Sequence, residues 1–436
     1  MGAMSRRVRS ALLGALAVLV VIGVLVGSGS GDGAPEVAPT TTATSSSTTP
    51  TTSTTSTTTI ITTTTTTLPP EVVALEALLG AMSDRDIAKQ LVVFGAAGSD
   101  PATSIGDALG DPCIGGVFVT KNVGNWFPAA SLEAATEAIG EVTEAGADCA
   151  APPFITTDAE PGTRVLKVPV DPLPTPATLE ANHVLDPATT SEGLAPAAEM
   201  FASQLADAGV HVNLGVIADV DAGDGFYMDR EGRSFGGDPG VVRDIAFTLL
   251  DGHCRAGVVP TLKHFPNQGS TVEDPHAEDS FSVNDFETWA EFGALPYIGA
   301  PSPMVMTGHI RYDGVDGGLP ATLSREITTG WLRDALKYGG VVITDDLHSM
   351  RGVDDLAPAD RGVTAIAAGA DLALYVATDD AASVVDAIEA RMATDPQFAQ
   401  QARDSAMRVL ELKGRIGLLP EVDPEWFRGP LCSPLD

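Results

Sequence analysis

Positive charge is scarce in this chain: 25 Lys and Arg stand against 58 Asp and Glu, a formal net charge of −33 at pH 7. That balance excludes nucleic acid and anionic membrane surfaces as partners, since both are themselves negatively charged. Cysteine is scarcer still. Four occur, none precedes Cys113, and no two stand as Cys-x-x-Cys. A lipid-modified N-terminus, a zinc ribbon and a thioredoxin-like redox site therefore lack the residues to build them. No Gly-x-Gly-x-x-Gly follows an apolar run, which weakens a dinucleotide-binding reading.

The N-terminus has a different character. Arg6, Arg7 and Arg9 precede a charge-free run from Ser10 to Gly31, whose apolar centre is Ala11–Gly27. That centre is longer than the h-region of about 7–15 residues in a signal peptide and just reaches the lower limit for a spanning helix. No clear Ala-x-Ala cleavage site follows. Residues 1–33 are expected to be an uncleaved membrane anchor or, in the alternative, a signal peptide. Basic residues before the run hold that end in the cytoplasm, so the rest is expected to be extracytoplasmic, anchored or secreted. Residues 34–70 are dominated from Pro39 onward by Thr and Ser with a few Pro. Such a segment buries too little apolar surface to offset the entropy of ordering, so we expect a disordered stalk. In an exported domain the four cysteines can pair, and of the three connectivities we expect Cys113 with Cys149 and Cys254 with Cys432.

Residues 71–436 are long enough for one large domain. Apolar runs of strand length recur at Gln90–Gly95, Gly115–Thr120, Pro153–Thr157, Val210–Val216, Val258–Leu262, Pro303–Thr307, Gly340–Thr344 and Asp371–Val376. Ala129–Ala145, Leu194–Ala208, Val241–Ala256, Glu326–Lys337 and Ala381–Met392 are Ala-rich, amphipathic and long enough for crossover helices. Strands apolar on both faces alternating with helices predict a parallel sheet covered by helices. Eight such units fit an α/β fold of the (β/α)8 TIM-type barrel class, preceded by the membrane segment and the Thr/Ser-rich linker.

In such barrels chemistry collects at the C-terminal ends of the strands. There the third run ends in Asp158-Ala-Glu160 with Arg164 beyond, and the fourth leads through Asp219 to Arg233. The fifth ends in Lys263-His264, the sixth in Thr307-Gly-His309 and the seventh in Asp345-Asp346. Beyond the fifth, a polar loop broken by Pro266, Gly269 and Pro275 brings Asp274 and His276 two residues apart. Imidazole titrates near neutrality, and a neighbouring carboxylate fixes its tautomer and stabilises its cation, so the pair can pass a proton both ways. Convergent Asp, Arg, Lys and His suit a ligand dense in hydroxyls, such as a sugar. Retaining cleavage of a glycosidic bond needs a carboxylate nucleophile and a proton donor about 5–5.5 Å away. Asp345, fixed at a strand end, suits the first role, and His276, backed by Asp274, the second. Asp345-Asp346 has a second reading as a metal-ligand pair, which the surrounding Lys and Arg oppose.

Lys263-His-Phe-Pro-x-x-Gly-x-Thr-x-x-Asp274-x-His276, Val305-Met-x-x-His309 and Gly340-Val-Val-Ile-Thr-Asp345-Asp-Leu together resemble glycoside hydrolase family 3, particularly its NagZ-type β-N-acetylglucosaminidases. Asp158-x-Glu160, Gly232-Arg-Ser-Phe, Ala368-Gly-Ala-Asp371 and Ala406-Met-Arg-Val-Leu-x-x-Lys413 match as well, and the likeness runs from Leu75 to Leu419. It implies a barrel that removes terminal β-linked N-acetylglucosamine from peptidoglycan fragments or related glycans, needing no cofactor or metal. It implies Asp345 as nucleophile and His276 with Asp274 as general acid/base. Asp158, Arg164, Arg233, Lys263, His264 and His309 would bind the sugar. Three stretches depart from the family pattern. Asn267-Gln-Gly-Ser-Thr271 replaces Gly-His-Gly-Asp-Thr, Asp158-Ala-Glu-Pro-Gly-Thr-Arg164 is one residue longer, and so is Asp346-Leu-His-Ser-Met350. Only a short segment follows Leu419, so a single-domain monomer is expected, which favours the glucosaminidases over the β-glucosidases. A sugar-binding protein without turnover, a different sugar, and phosphate in place of water remain open from sequence.

Overall fold

The computed structural model describes residues 68–95, 101–119, 131–427 and 431–432. The expected membrane segment and nearly all of the expected linker lie outside them. Among the described residues, no helix is long and apolar enough to cross a membrane.

Eight strands form: β1 Val92–Gly95, β2 Gly116–Val119, β3 Phe154–Thr157, β4 Val212–Ile217, β5 Val259–Phe265, β6 Met304–Thr307, β7 Val341–Thr344 and β8 Ala373–Tyr375. They pair in parallel in the order β7-β6-β5-β4-β3-β2-β1-β8. A parallel bridge between Ile343 and Leu372 joins the two ends of that order. Beside it the Thr344 N–H donates to the Leu372 carbonyl at 3.0 Å, and the Leu347 N–H to the Leu374 carbonyl at 2.8 Å. The sheet thus curls into the expected barrel, nearly closed between β7 and β8.

Every residue of these strands is buried, because the barrel interior takes one set of side chains and the helices cover the other. Val93, Phe118, Phe154, Val212, Leu214, Met304, Met306, Ile343 and Leu374 belong to the cluster that fills the interior. At Gly116 a Cβ would lie 2.3 Å from the Phe154 ring, so this position must stay glycine for Phe154 to enter.

The helices start where sequence chemistry tells them to. Helix α1 (Pro70–Ala81) leads to α2 (Asp84–Gln90), which opens on a Ser83–Asp86 capping box. After α3 (Pro101–Leu109) and α4 (Leu132–Ala145), α5 (Pro176–Leu185), α6 (Pro187–Asp207) and α7 (Pro239–Arg255) are capped by Thr175, Asp186 and Asp238, each with proline in the first turn. Helix α8 (Pro358–Ala368) follows β7, and α9 (Ala381–Thr394) and α10 (Pro396–Arg415) follow β8.

Three stretches differ most from expectation, the first being the helix expected over Leu194–Ala208, which already begins at Pro187. Glu326–Lys337, expected as an α-helix, is a π-helix over Glu326–Ala335, and its Trp331 stacks on Trp289 with ring centroids 4.6 Å apart. Strand β5 runs three residues past the expected Leu262, because carboxylates reach into the sheet to meet Lys263 and His264. The disulfides join Cys113 to Cys149 and Cys254 to Cys432, with Cα–Cα distances of 5.4 and 5.8 Å.

Candidate active site

A cavity of about 670 Å³ opens at the C-terminal end of the barrel, a volume ordinary for a small-molecule site. Its wall includes Asp158, Arg164, Arg233, Lys263, His264, His276 and Asp345, so seven of the nine expected site residues face one space. Asp274 touches that space through His276. His309 does not reach it.

The charged floor is built around a residue that sequence reasoning left without a role, Glu160. It accepts from Arg233 Nε at 2.9 Å and Nη2 at 2.7 Å, and Lys263 Nζ lies 2.7 Å from its Oε1. Lys263 also donates to Asp158 at 2.8 Å. Burial penalises the Glu160 carboxylate, yet the guanidinium and ammonium beside it outweigh that penalty and pull its pKa down to about 2. Burial likewise works against Lys263, and Asp158 with Glu160 raise its pKa on balance. The signal for Glu160 was in the sequence, two residues beyond Asp158.

His264 is oriented by Asp219, which is fully buried. Its Nδ1 sits 2.7 Å from Asp219 Oδ2, while Asp219 Oδ1 accepts the backbone N–H of Gln268 at 2.6 Å. The other ring nitrogen faces Asp345 Oδ2 at 3.9 Å. A carboxylate thus fixes both the ring and the turn after β5.

Asp345 is held by its backbone N–H, which donates to the Thr307 carbonyl at 2.8 Å, and its Oδ1 accepts the Asp346 N–H at 2.8 Å. Burial pushes its pKa up, but His264, His309 and His276 push it down further, leaving it below the ordinary carboxylate value. It is therefore ionised at neutral pH. Its side chain is 18% exposed and open to the cavity.

His276 stands on the opposite loop with 59% of its side chain exposed. Its Nδ1 lies 2.8 Å from Asp274 Oδ1, and the Tyr227 hydroxyl is 3.3 Å away. The Asp274 carboxylate also accepts the His276 N–H at 3.0 Å. With Nδ1 spent on Asp274, Nε2 is the nitrogen free to exchange a proton. Tyr227, whose pKa burial pushes up to about 12, stays a neutral hydroxyl. Nothing in the sequence marked it.

The remaining expectations separate. Arg164 is on the wall but pairs with Glu231, across the loop that carries Tyr227 and Arg233. His309, expected to bind sugar, is fully buried, and its Nε2 donates to the Asp346 carbonyl at 2.9 Å. It sits behind Asp345 and not on the wall. Asp346 is saturated, accepting from His348 N at 2.8 Å, Ser349 N at 3.0 Å, Ser349 Oγ at 2.6 Å and Val376 N at 3.0 Å. It shapes the loop after β7 and has no oxygen left for an Asp345-Asp346 metal pair. Among the described residues, no group of three or more His, Cys, Asp or Glu is placed to hold a metal ion.

This geometry agrees with what the chain is similar to. The family described as glycosyl hydrolase family 3 N terminal domain matches residues 84–412. An uncharacterized secreted glycosyl hydrolase of Arthroderma benhamiae is 27% identical, over 76% of this chain and 93% of that protein. The β-hexosaminidase LpqI of Mycobacterium tuberculosis is 31% identical over 220 residues, 48% of this chain and 56% of LpqI. The crystal structure of a β-N-acetylhexosaminidase from Beutenbergia cavernae superposes with a TM-score of 0.67 at 31% identity, covering 76% of this chain and 99% of that one. The chain belongs to glycosyl hydrolase family 3, and it is a glycosidase.

Proposed function

We propose that the protein is a retaining exo-β-N-acetylglucosaminidase acting on terminal β-linked N-acetylglucosamine of cell-wall fragments or related glycans. The observation that carries this reading is the placement of an ionised, cavity-facing Asp345 and an Asp274-backed His276 on one cavity whose floor is charged by Asp158, Arg233, Lys263 and His264. Asp345 attacks the anomeric carbon. His276 Nε2 gives its proton to the leaving oxygen, and the imidazole then takes a proton from the water that releases the sugar. His264 lends positive field to Asp345, and Asp158, Arg233 and Lys263 hold sugar hydroxyls through charge-assisted hydrogen bonds. The names of the hexosaminidase relatives support the sugar. The name of the secreted relative and the expected N-terminal segment support an extracytoplasmic site of action.

Water is favoured over phosphate as acceptor: of the four Lys and Arg side chains on the wall, Arg164, Arg233 and Lys263 each already hold a carboxylate, and Lys167 is not free either. A phosphate dianion would need cations that are not so committed.

The test measures phenol release from the chromogenic β-N-acetylglucosaminide and β-glucoside by the full chain, beside Asp345→Ala. Preference for the glucosaminide with turnover lost in the variant is the expected result. Turnover surviving in Asp345→Ala would overturn the assigned nucleophile, and preference for the glucoside would overturn the sugar.

A further inference from the structure

His276 leaves 59% of its side chain open, and Asp274, which backs it, stands two residues away on the same loop. Their bonds close within that loop. Asp274 accepts from the His276 ring at 2.8 Å and from its backbone N–H at 3.0 Å, and the Asp274 carbonyl accepts the Ala277 and Glu278 N–H groups at 2.9 Å. Such a pair orients the ring within the loop and moves with it. A proton donor must also keep its distance from the nucleophile, about 5–5.5 Å for retaining cleavage, so the ring needs a tie to the barrel.

A single helical turn in the loop after β4, Tyr227–Arg230, supplies one. The Tyr227 N–H donates to the Thr271 carbonyl at 2.9 Å and Arg230 Nη1 to the Val272 carbonyl at 3.0 Å, which anchors the start of the His276 loop. Beyond His276, the Arg311 N–H donates to the Ser280 carbonyl at 2.8 Å and its guanidinium to Asp279 at 3.2 Å. His276 lies between these anchors. There its Nδ1 meets the Tyr227 hydroxyl at 3.3 Å, with the ring centroids 6.4 Å apart. Tyr227 is buried, so packing holds its ring. The far end of the turn is tied to the charged floor, since the Arg233 N–H donates to the Met228 carbonyl at 3.0 Å and the Arg233 guanidinium holds Glu160.

Burial pushes the Asp274 pKa up, but the His276 N–H and ring push it down further, so at neutral pH it is a carboxylate with no hydrogen to give. The bond to Asp274 therefore uses the hydrogen of His276 Nδ1, and the Tyr227 oxygen faces that same N–H as a second acceptor. Nε2 is left for the leaving oxygen.

We propose that Tyr227 is a positioning residue for proton transfer: its hydroxyl fixes the His276 imidazole relative to the barrel, and so to Asp345, while Asp274 fixes the tautomer. The inference rests on the reading of His276 as general acid/base.

The experiment compares the full chain with Tyr227→Phe and His276→Ala on two aryl glycosides of the sugar that wild type prefers, one releasing phenol and one 2,4-dinitrophenol. Dinitrophenolate departs without a proton and phenolate does not, so a defect in proton donation lowers kcat/KM for the phenyl glycoside alone. Tyr227→Phe keeps the ring and is expected to lower that value by about 5–15-fold, and the dinitrophenyl value by less than about twofold, with the melting temperature unchanged. His276→Ala should show the same selectivity with a loss of about 100-fold or more. Equal losses of Tyr227→Phe on both substrates would make the hydroxyl a sugar-binding or packing group and overturn the proposal, as would no loss on either. Selectivity in His276→Ala that is absent from Tyr227→Phe defeats this inference alone, whereas His276→Ala without selectivity defeats the assignment of His276 and the proposal with it.

Discussion

Lys263 at the mouth of the barrel and Lys413 at its foot are both buried, yet they are satisfied by different means. At the mouth, Asp158 and Glu160 lie 2.8 and 2.7 Å from the ammonium and raise its pKa against the cost of burial. At the foot, Lys413 Nζ donates to Gln90 Oε1 at 2.6 Å and to the carbonyls of Ile114 and Ala151 at 3.1 and 3.4 Å. Among the described residues no carboxylate compensates there, and burial pulls the Lys413 pKa well below the ordinary lysine value. Three oxygens without hydrogens face the Lys413 nitrogen and accept from it. Gln90 spends its Nε2 on the carbonyls of Cys113 and Ala151, which turns its Oε1 toward the lysine. The foot is a closed set that joins the residues before β1, β2 and β3 to α10. The mouth is not closed, since Asp158, His276 and Asp345 keep exposed surface toward the cavity. Buried hydrogen bonds at one end hold the barrel together, and buried charge at the other awaits a ligand.

The strongest way to sharpen that contrast is to remove the charge the mouth keeps open. Asp345→Ala is expected to lower kcat by about 10⁴-fold or more while leaving the melting temperature nearly unchanged, measured by steady-state kinetics and thermal unfolding. A matched pair of lysine variants comes next. Lys413→Met takes the ammonium donor from Gln90 Oε1 and the Ile114 carbonyl, while the Ala151 carbonyl keeps Gln90 Nε2, and should cost about 3 kcal/mol in urea unfolding, with kcat/KM of the folded protein within about twofold of wild type. Lys263→Met should lower kcat/KM by about 100-fold, because it removes a sugar-binding cation and leaves Asp158 without its partner. If Lys413→Met lowered kcat/KM in protein shown to be folded, the division of labour between the two ends would break.

The barrel was legible because its strands are apolar on both faces, and β3 to β7 carry Asp, Lys or His within two residues of their ends, so the alternation and the mouth could both be read. The positions of Asp158, Lys263 and Asp345 were legible for the same reason, and those of Asp274 and His276 from their spacing on the loop beyond β5. What stayed hidden depends on contacts between distant segments. Glu160 and Asp219, on the loops after β3 and β4, make buried Lys263 and His264 tolerable at the end of β5. The depth of His309 follows from the Asp346 carbonyl it meets, and the pairing of Arg164 from Glu231 on another loop. Residue type announces a charge, but not which neighbour will claim it. The π-helical turn at Glu326–Ala335 likewise carries an ordinary amphipathic pattern, and Trp331 reveals its setting only beside Trp289, Phe286 and Tyr312.

The smallest expected effect concerns two carboxyls near the mouth whose protons shift in opposite directions. Glu160, drawn down to about 2 from an ordinary 4.5, stabilises the fold above about pH 4.5, and that contribution is lost as the pH falls toward 2. Asp221 accepts from the Ser234 hydroxyl behind the cavity wall, and burial pushes its pKa up to about 7 from an ordinary 3.8, with Asp219 adding to the rise. The folded state therefore keeps a proton that the unfolded chain releases. Asp221 favours folding fully below about pH 4, and this advantage fades as the pH rises to 7. Asp221→Asn, which cannot ionise, should remove that slope. Urea midpoints at pH 4, 5.5 and 7 are expected to show wild type losing on the order of 2 kcal/mol more than the variant across the interval. Parallel curves would mean that Asp221 is already ionised at the low end, and that the mouth carries one more charge than its burial implies.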